Sequence, residues 1–349
     1  WRLPRVALAM AAGVQLVACG AAGGDKAEAA DPAARATELT ARAEKLFATR
    51  ASKDLIAAFE LYRQARVLDP KLARAHAGTA TIGCLLALYS IEVPVDVLPL
   101  AQRAAEDALR LEPELAEAVG ALGLVDYLYH WRFERAEERF LAAARLDPTL
   151  ATVDHWRGML LMAQGRFGEA VEAYDRALAK DPASELYRTK RATILAHAGR
   201  RDEAYAELTA VADENTGYSL VWREIGFLAI DDGRVEEAVT AFERAAALDG
   251  GASKSTGGLG YAWARVGRRE EARGVLDDFL NRSADLWVSP MYLAMMHGGL
   301  GEADAAFREL RRAISVRDPG VVYLGVKSGF DELRDDPRFT EMLREIGLK

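Results

Sequence analysis

The chain has 349 residues, half of them apolar, with 45 Lys and Arg against 53 Asp and Glu and a net charge of −8. That balance argues against binding to a polyanion such as nucleic acid, which would require a continuous basic stripe. Of its two cysteines, Cys19 falls in a candidate processing site, which leaves Cys84 without a partner in the chain. Cys84 sits in an apolar helical stretch and reads as a small buried hydrophobe.

Arg2 and Arg5 lead into an uncharged run of 19 residues from Val6 to Gly24, rich in Ala, Val and Leu. A positive start, a short apolar core and a small-residue site describe a secretory signal. Leu16-Val17-Ala18-Cys19 resembles the lipobox of bacterial lipoprotein signal peptides. The resemblance implies a signal over residues 1–19, lipid attachment at Cys19 and a flexible tether over 20–36. The competing expectation is a single membrane span, for which the run is barely long enough to cross about 30 Å of hydrocarbon. Either reading expects a membrane-anchored protein of the bacterial cell envelope, with the repeats on the periplasmic side. Loss of Arg2 and Arg5 with the signal would take the net charge from −8 to −10.

After the tether the sequence repeats. Ala58, Tyr62, Ala65 and Pro70 outline the second helix of a first unit, and Ala101, Ala108 and Pro113 that of a second. Pro70 and Pro113 lie 43 residues apart, nine over the later period, which predicts a longer inter-helix loop around Ile91–Pro99. Pro113 and Pro148 lie 35 apart, with one extra residue near Tyr129–Phe133. From there the period is a strict 34. Alanine falls at 136, 170, 204, 238, 272 and 306, and glycine at 165, 199, 233, 267 and 301. A fixed period of this length is the mark of a solenoid whose units stack on their neighbours.

Residues 151–182 show the unit most plainly. Trp156, Gly158, Leu160, Leu161 and Met162 make a first helix that stops at Gly165, a left-handed cap. Ala170, Val171, Tyr174, Ala177 and Leu178 make a second, and Asp181-Pro182 closes it. Small residues recur midway along the first helix at Gly123, Gly158, Ala192, Gly226, Gly260 and Ala294. Large ones recur in the second helix at Phe140, Tyr174, Leu208, Phe242, Leu276 and Leu310. Helix-interior glycine costs about 1 kcal/mol against alanine, so its recurrence predicts close helix contact.

This pattern resembles the tetratricopeptide repeat. The family signature of Trp, Leu-Gly, Tyr, Ala, Phe, Ala and Pro is met by Trp222, Ile225-Gly226, Ala238, Phe242 and Ala245. Ala229 stands at the tyrosine position and Gly250 at the proline position. The resemblance covers residues 37–319. It implies an all-α, right-handed superhelical solenoid of about eight helix pairs, with a C-terminal capping segment over 320–349. Glu341, Arg344 and Glu345 give that cap a polar outer face. Two stretches further resemble the tetratricopeptide regions of bacterial membrane-anchored regulators of winged-helix, kinase, TolB-like or adenylate cyclase type. They are Tyr129-His130-Trp131 with Ala136-Glu137 and Phe140, and Val322-Tyr323-Leu324 with Phe330-Asp331 and Asp336-Pro337-Arg338-Phe339.

No constellation for catalysis or for metal binding emerges. His76, His130, His155, His197 and His297 are scattered through the units without paired spacing. Asp69, Asp147, Asp181 and Asp249 recur at one turn position and end helices. Gly257-Gly258-Leu259-Gly260 follows no strand, and Gly260 falls on the small position of the repeat, so packing explains it. Arg200-Arg201 and Arg268-Arg269 are turn residues, one pair to a unit. The expected function is a non-enzymatic scaffold without cofactor that binds protein or peptide, with self-association as a further expectation. The alternative is the periplasmic sensory or docking part of a larger membrane-anchored regulator.

In the family, the second, fifth, ninth and twelfth positions of each unit face inward. Carried over, the candidate peptide groove is Tyr127, His155, Met159, Met162, Thr193, Arg223, Phe227, Ile230, Tyr261, Met291 and Met295, with Thr189 and Lys254 beside them. Its methionines suit adaptable contacts with a peptide.

Overall fold

The structure is a computed structural model that describes residues 31–282 and 287–348. The signal, Cys19 and most of the tether lie outside the described residues. All regular elements among the described residues are helical. The chain divides after Val125 into two compact units.

The first unit holds α1 (Pro32–Thr49), α2 (Ser52–Leu68), α3 (Ala73–Leu88), α4 (Pro94–Leu111) and α5 (Ala116–Val125). Helix α1 packs on α2 and α3 on α4, and α5 lies against both α3 and α4. Ala58, Tyr62 and Ala65 are buried as their spacing predicts. The Tyr62 ring lies where a side chain at Gly78 would stand, so α2 meets α3 at a missing Cβ. The nine surplus residues do not form the expected loop over Ile91–Pro99. Only residues 89–93 separate the two helices, and α4 begins at Pro94 and carries Pro99 inside it. The surplus lengthens the helices instead, to 16 and 18 residues. Pro94 is the first residue of α4, where its missing N–H costs nothing, and Pro99 removes a single bond in the second turn.

The second unit opens with a π-helical turn, Asp126–His130. A π turn takes one more residue than an α turn, which is how the extra residue near Tyr129–Phe133 fits without disturbing the register. Then come α6 (Phe133–Leu146), α7 (Ala151–Ala163), α8 (Phe167–Lys180), α9 (Glu185–His197), α10 (Arg201–Glu214), α11 (Ser219–Asp231) and α12 (Val235–Leu248). Helices α13 (Ser253–Arg265), α14 (Arg269–Arg282), α15 (Pro290–Gly299) and α16 (Ala303–Ser315) complete the pairs. The five periodic glycines all adopt φ between 72° and 82°, the left-handed cap conformation. One period earlier than Gly165, Trp131 takes the same conformation at φ 57° without being glycine.

The predicted small-to-large contacts are present at Gly158 and Gly226, whereas Gly260 faces Met296 and Val275 rather than Leu276. The Tyr174 ring fills the space over Gly158, and a Cβ at Gly226 would stand 2.8 Å from Phe242 Cε2. Phe242 also presses on Gly258, so one ring wedges between two successive first helices. Asp69 and Asp147 accept the backbone N–H of Lys71 and Thr149, each at 2.9 Å, and Asp249 accepts that of Ala252. These carboxylates are turn-formers.

After α16 the regular pairing ends. Two short 3-10 turns, Pro319–Tyr323 and Ser328–Leu333, precede the last helix, α17 (Pro337–Glu345), whose Glu341, Arg344 and Glu345 are exposed. The first 3-10 turn packs against the π turn, α7 and α16, and the second packs against α15.

Candidate peptide-binding face

The inner face of the second unit is built from its first helices α7, α9, α11, α13 and α15, and the segment after α16 is seated on it. Gly320 lies against Met291, where a Cβ would come within 2.9 Å of Cγ. Gly329 lies against Met295, with the corresponding distance to Cε 2.7 Å. Ser328 donates to the Asp231 carboxylate at the end of α11. Glu332 pairs with Arg265 at 2.8 Å, and Arg265 donates to the Tyr261 hydroxyl at 2.9 Å. The Lys327 ammonium lies 4.3 Å from the Phe227 ring centre and 5.3 Å from that of Tyr292. Tyr323 is hydrogen-bonded to Tyr127.

The sequence-predicted groove residues therefore fall into two groups. Tyr127, Tyr261 and Met295 are wholly buried, and His155, Met159, Ile230 and Met291 nearly so. Tyr127 donates to the Met159 carbonyl at 3.2 Å, and His155 Nδ1 bonds the Tyr174 hydroxyl at 2.8 Å. Met162, Thr193, Arg223 and Phe227 remain partly exposed.

Around the second group lies a set of charges that the repeat pattern does not single out. Glu224 accepts from Lys190 at 2.7 Å and from Thr193 at 3.2 Å. Burial alone would raise its carboxyl, but Lys190 and Arg223 hold it down at about 2. Asp318 caps the first 3-10 turn, accepting from Gly320 N–H at 2.8 Å and from the Ser289 hydroxyl at 2.5 Å. Burial pushes its carboxyl up. Lys254 is pushed down to about 7, first by burial and then by the neighbouring Arg223 and Lys190. Lys327 is pushed down to about 8 by burial, with Glu224 opposing the fall and Arg223 and Lys190 adding to it. The signal for this cluster is faint in the sequence: Arg223 and Lys254 occupy inward positions, whereas Lys327 reaches the face only through the fold of the tail.

Family profiles of the tetratricopeptide repeat match residues 125–185, 161–223 and 224–285. The chain carries tetratricopeptide repeats. Among curated tetratricopeptide relatives, the co-chaperone sgt12 of Aspergillus fumigatus is 27% identical over 154 residues, 41% of this chain and 45% of its own length. The small glutamine-rich tetratricopeptide repeat-containing protein 2 of Mycosarcoma maydis is 26% identical over 105 residues, 30% of each chain. Both matches span less than half of the relative's length. Among solved tetratricopeptide structures, a Rap protein complexed with competence and sporulation factor superposes with a TM-score of 0.59 at 15% identity, covering 89% of this chain and 97% of that one. The Cut9 and Hcn1 hetero-tetramer of the APC/C gives 0.57 at 15% identity, covering 88% and 55%. At such identities the likeness is one of fold. The tetratricopeptide fold is typically a non-catalytic protein-interaction scaffold.

Proposed function

We propose that this chain is a non-enzymatic scaffold that binds protein or peptide on the inner face of its second unit. The observation that carries this reading is that the face already accommodates a peptide-like segment. Residues 319–333 lie on it through paired side chains and glycine-to-methionine contacts. The partner's place is then the part of the face that the tail leaves accessible, around Thr193, Arg223 and Phe227. A photo-crosslinking amino acid at Thr193 is expected to capture a partner that one at Leu141, an exposed residue of α6, does not. Capture from Leu141 alone would move the site off the inner face. Tyr261 is unsuitable for such a test, because a charge at a wholly buried ring probes folding rather than binding.

The Leu16–Cys19 segment supports tethering of this scaffold to the bacterial envelope through a lipid on Cys19. Labelling with radioactive palmitate is expected in the wild type and absent in Cys19→Ala. Equal labelling of both would remove the tether. The resemblance of Tyr129-His130-Trp131 and of the tail to regulator regions supports a second reading, in which the array is the docking part of a larger membrane-anchored regulator. The genomic sequence upstream of Trp1 separates the two.

A further inference from the structure

Between the second helices α6 and α8 lies a crevice of about 300 Å³ whose floor is the first helix α7. Phe140, Ala144, Pro148 and Val153 give it apolar walls, and Asp154, Arg157, Arg176 and Lys180 give it a charged side. The register of the repeat explains why there is a crevice here. Trp222 stands at the tryptophan position of the family signature, and two periods of 34 earlier that position is Asp154. The same step takes Ile225 to Arg157 and Leu248 to Lys180. A copy of this repeat therefore stacks with a ring and two aliphatic side chains at these positions. The copy around α7 has a short carboxylate and two cations in their place, so stacking of the helices does not by itself call for the charges.

Asp154 is buried and is shared by two cations of α8, accepting from Arg176 Nε at 3.2 Å and from Lys180 Nζ at 2.5 Å. Arg157 is held by Glu137, to which it donates at 2.8 Å. Arg176 and Lys180 lie one turn apart on one helix, and both are exposed at the mouth of the crevice. Each has N–H groups beyond the one given to Asp154. One carboxylate divided between two cations leaves them able to take a second anion. We propose that this crevice is a binding site for a small aromatic carboxylate. The ring enters where Trp222 stands in its own copy, against Phe140 and Val153, and the carboxylate meets Arg176 and Lys180. Burial against the apolar walls supplies affinity, and the two cations fix the orientation. The Arg176 guanidinium also suits the negative face of a ring. A small aliphatic anion would use only the cations, and a neutral ring only the walls. The side walls are second helices, so the site is distinct from the inner face proposed for a protein partner.

The test is saturation-transfer NMR, followed by titration, of the full chain with indole-3-propionate. Indole-3-propionamide keeps the ring and loses the charge, acetate keeps the charge and loses the ring, and both serve as comparison probes. Indole-3-propionate is expected to bind with a Kd of about 1 mM or tighter, as its size allows. Each comparison probe is expected to bind at least about tenfold more weakly. Asp154→Trp restores the signature residue and fills the crevice, and is expected to abolish binding with helical content unchanged. Should that variant fail to fold, Arg176→Gln with Lys180→Gln replaces it, since both amides can still donate to Asp154. That pair is expected to weaken binding at least about tenfold. No saturation transfer to indole-3-propionate, or equal binding by wild type and either variant, overturns the proposal. Amide binding as tight as that of the acid overturns the assignment to a carboxylate. Acetate binding as tight as that of the acid overturns the assignment to an aromatic ligand.

Discussion

At the scale of single residues, the register of the helix pairs rests on contacts between a missing or small side chain and a ring. Ala238 is wholly buried near the start of α12, and Phe242 one turn later spans Gly226 and Gly258. Ala238→Leu is therefore expected to overpack α12 against α11 and to cost about 1–3 kcal/mol, read as a lower midpoint in urea. A different effect belongs to Lys254 and Lys327, which share their surroundings with Lys190 and Arg223, the carboxylates of Glu224 and Asp318, and the Tyr292 ring. Their folded values near 7 and 8 lie below the ordinary 10.5, so between those limits the unfolded chain holds more protons than the folded one. Stability then rises with pH over that window, and below pH 7 the penalty is present in full. The buried hydroxyls of Tyr62, Tyr127, Tyr292 and Tyr323 act oppositely. Burial raises them above 10.0, so the unfolded chain ionises first and stability falls in alkali. The melting temperature is expected to climb from neutrality to a maximum near about pH 9–10. Lys254→Met is expected to flatten the climb.

At the scale of elements, the tail after α16 is the part with the largest consequence and the least forecast. Val321, Val322, Leu324 and Phe330 are wholly buried, each contributing about 1.5–3 kcal/mol by removal from water. Phe330→Ala is expected to cost about 3–5 kcal/mol in chemical denaturation and to increase the oxidation rate of Met291 and Met295 beneath the tail. The helix pairs were legible because each depends on neighbours at fixed spacing, and the five capping glycines announced where the turns fall. The turn at Trp131 was not, since a tryptophan gives no hint of a left-handed backbone. The two prolines at 94 and 99 pointed to a loop, yet both sit in the first turns of α4, where a helix tolerates them. The tail carries no period, and its partners lie far away in sequence: Ser328 bonds to Asp231, 97 residues upstream. Apolar residues such as Val322 and Phe330 are equally compatible with an end cap and with an inward-folded segment. Only tertiary contact decides between them. For the same reason the spacing of the candidate groove positions could be read from the sequence, but their division into buried and partly exposed residues could not.

At the scale of the whole molecule, stability is distributed unevenly. Helix α1 buries only Ala36, Leu39, Thr40 and Ala43 along 18 residues, while the ten residues of α15 include eight that are buried. Amide hydrogen exchange is expected to be fastest in α1 and slowest in α13 and α15, because opening free energy depends on buried contact. Protection of α1 equal to that of α15 would contradict this. Stacked repeats ordinarily fold through short-range contacts and can begin anywhere along the chain. The second unit departs from that habit at its end: Gly347 approaches the Phe133 ring and the Trp131 carbonyl at the unit's opposite end in sequence. Such a contact closes a loop of more than two hundred residues. During synthesis the chain emerges from its N-terminal side onward, so Met291, Met295 and Tyr261 must wait uncovered until residues 319–333 have left the ribosome. The stretch that conceals them is made only after the repeats it covers, so premature termination or clipping near Arg317 would release an adhesive, half-finished product rather than a shorter working protein.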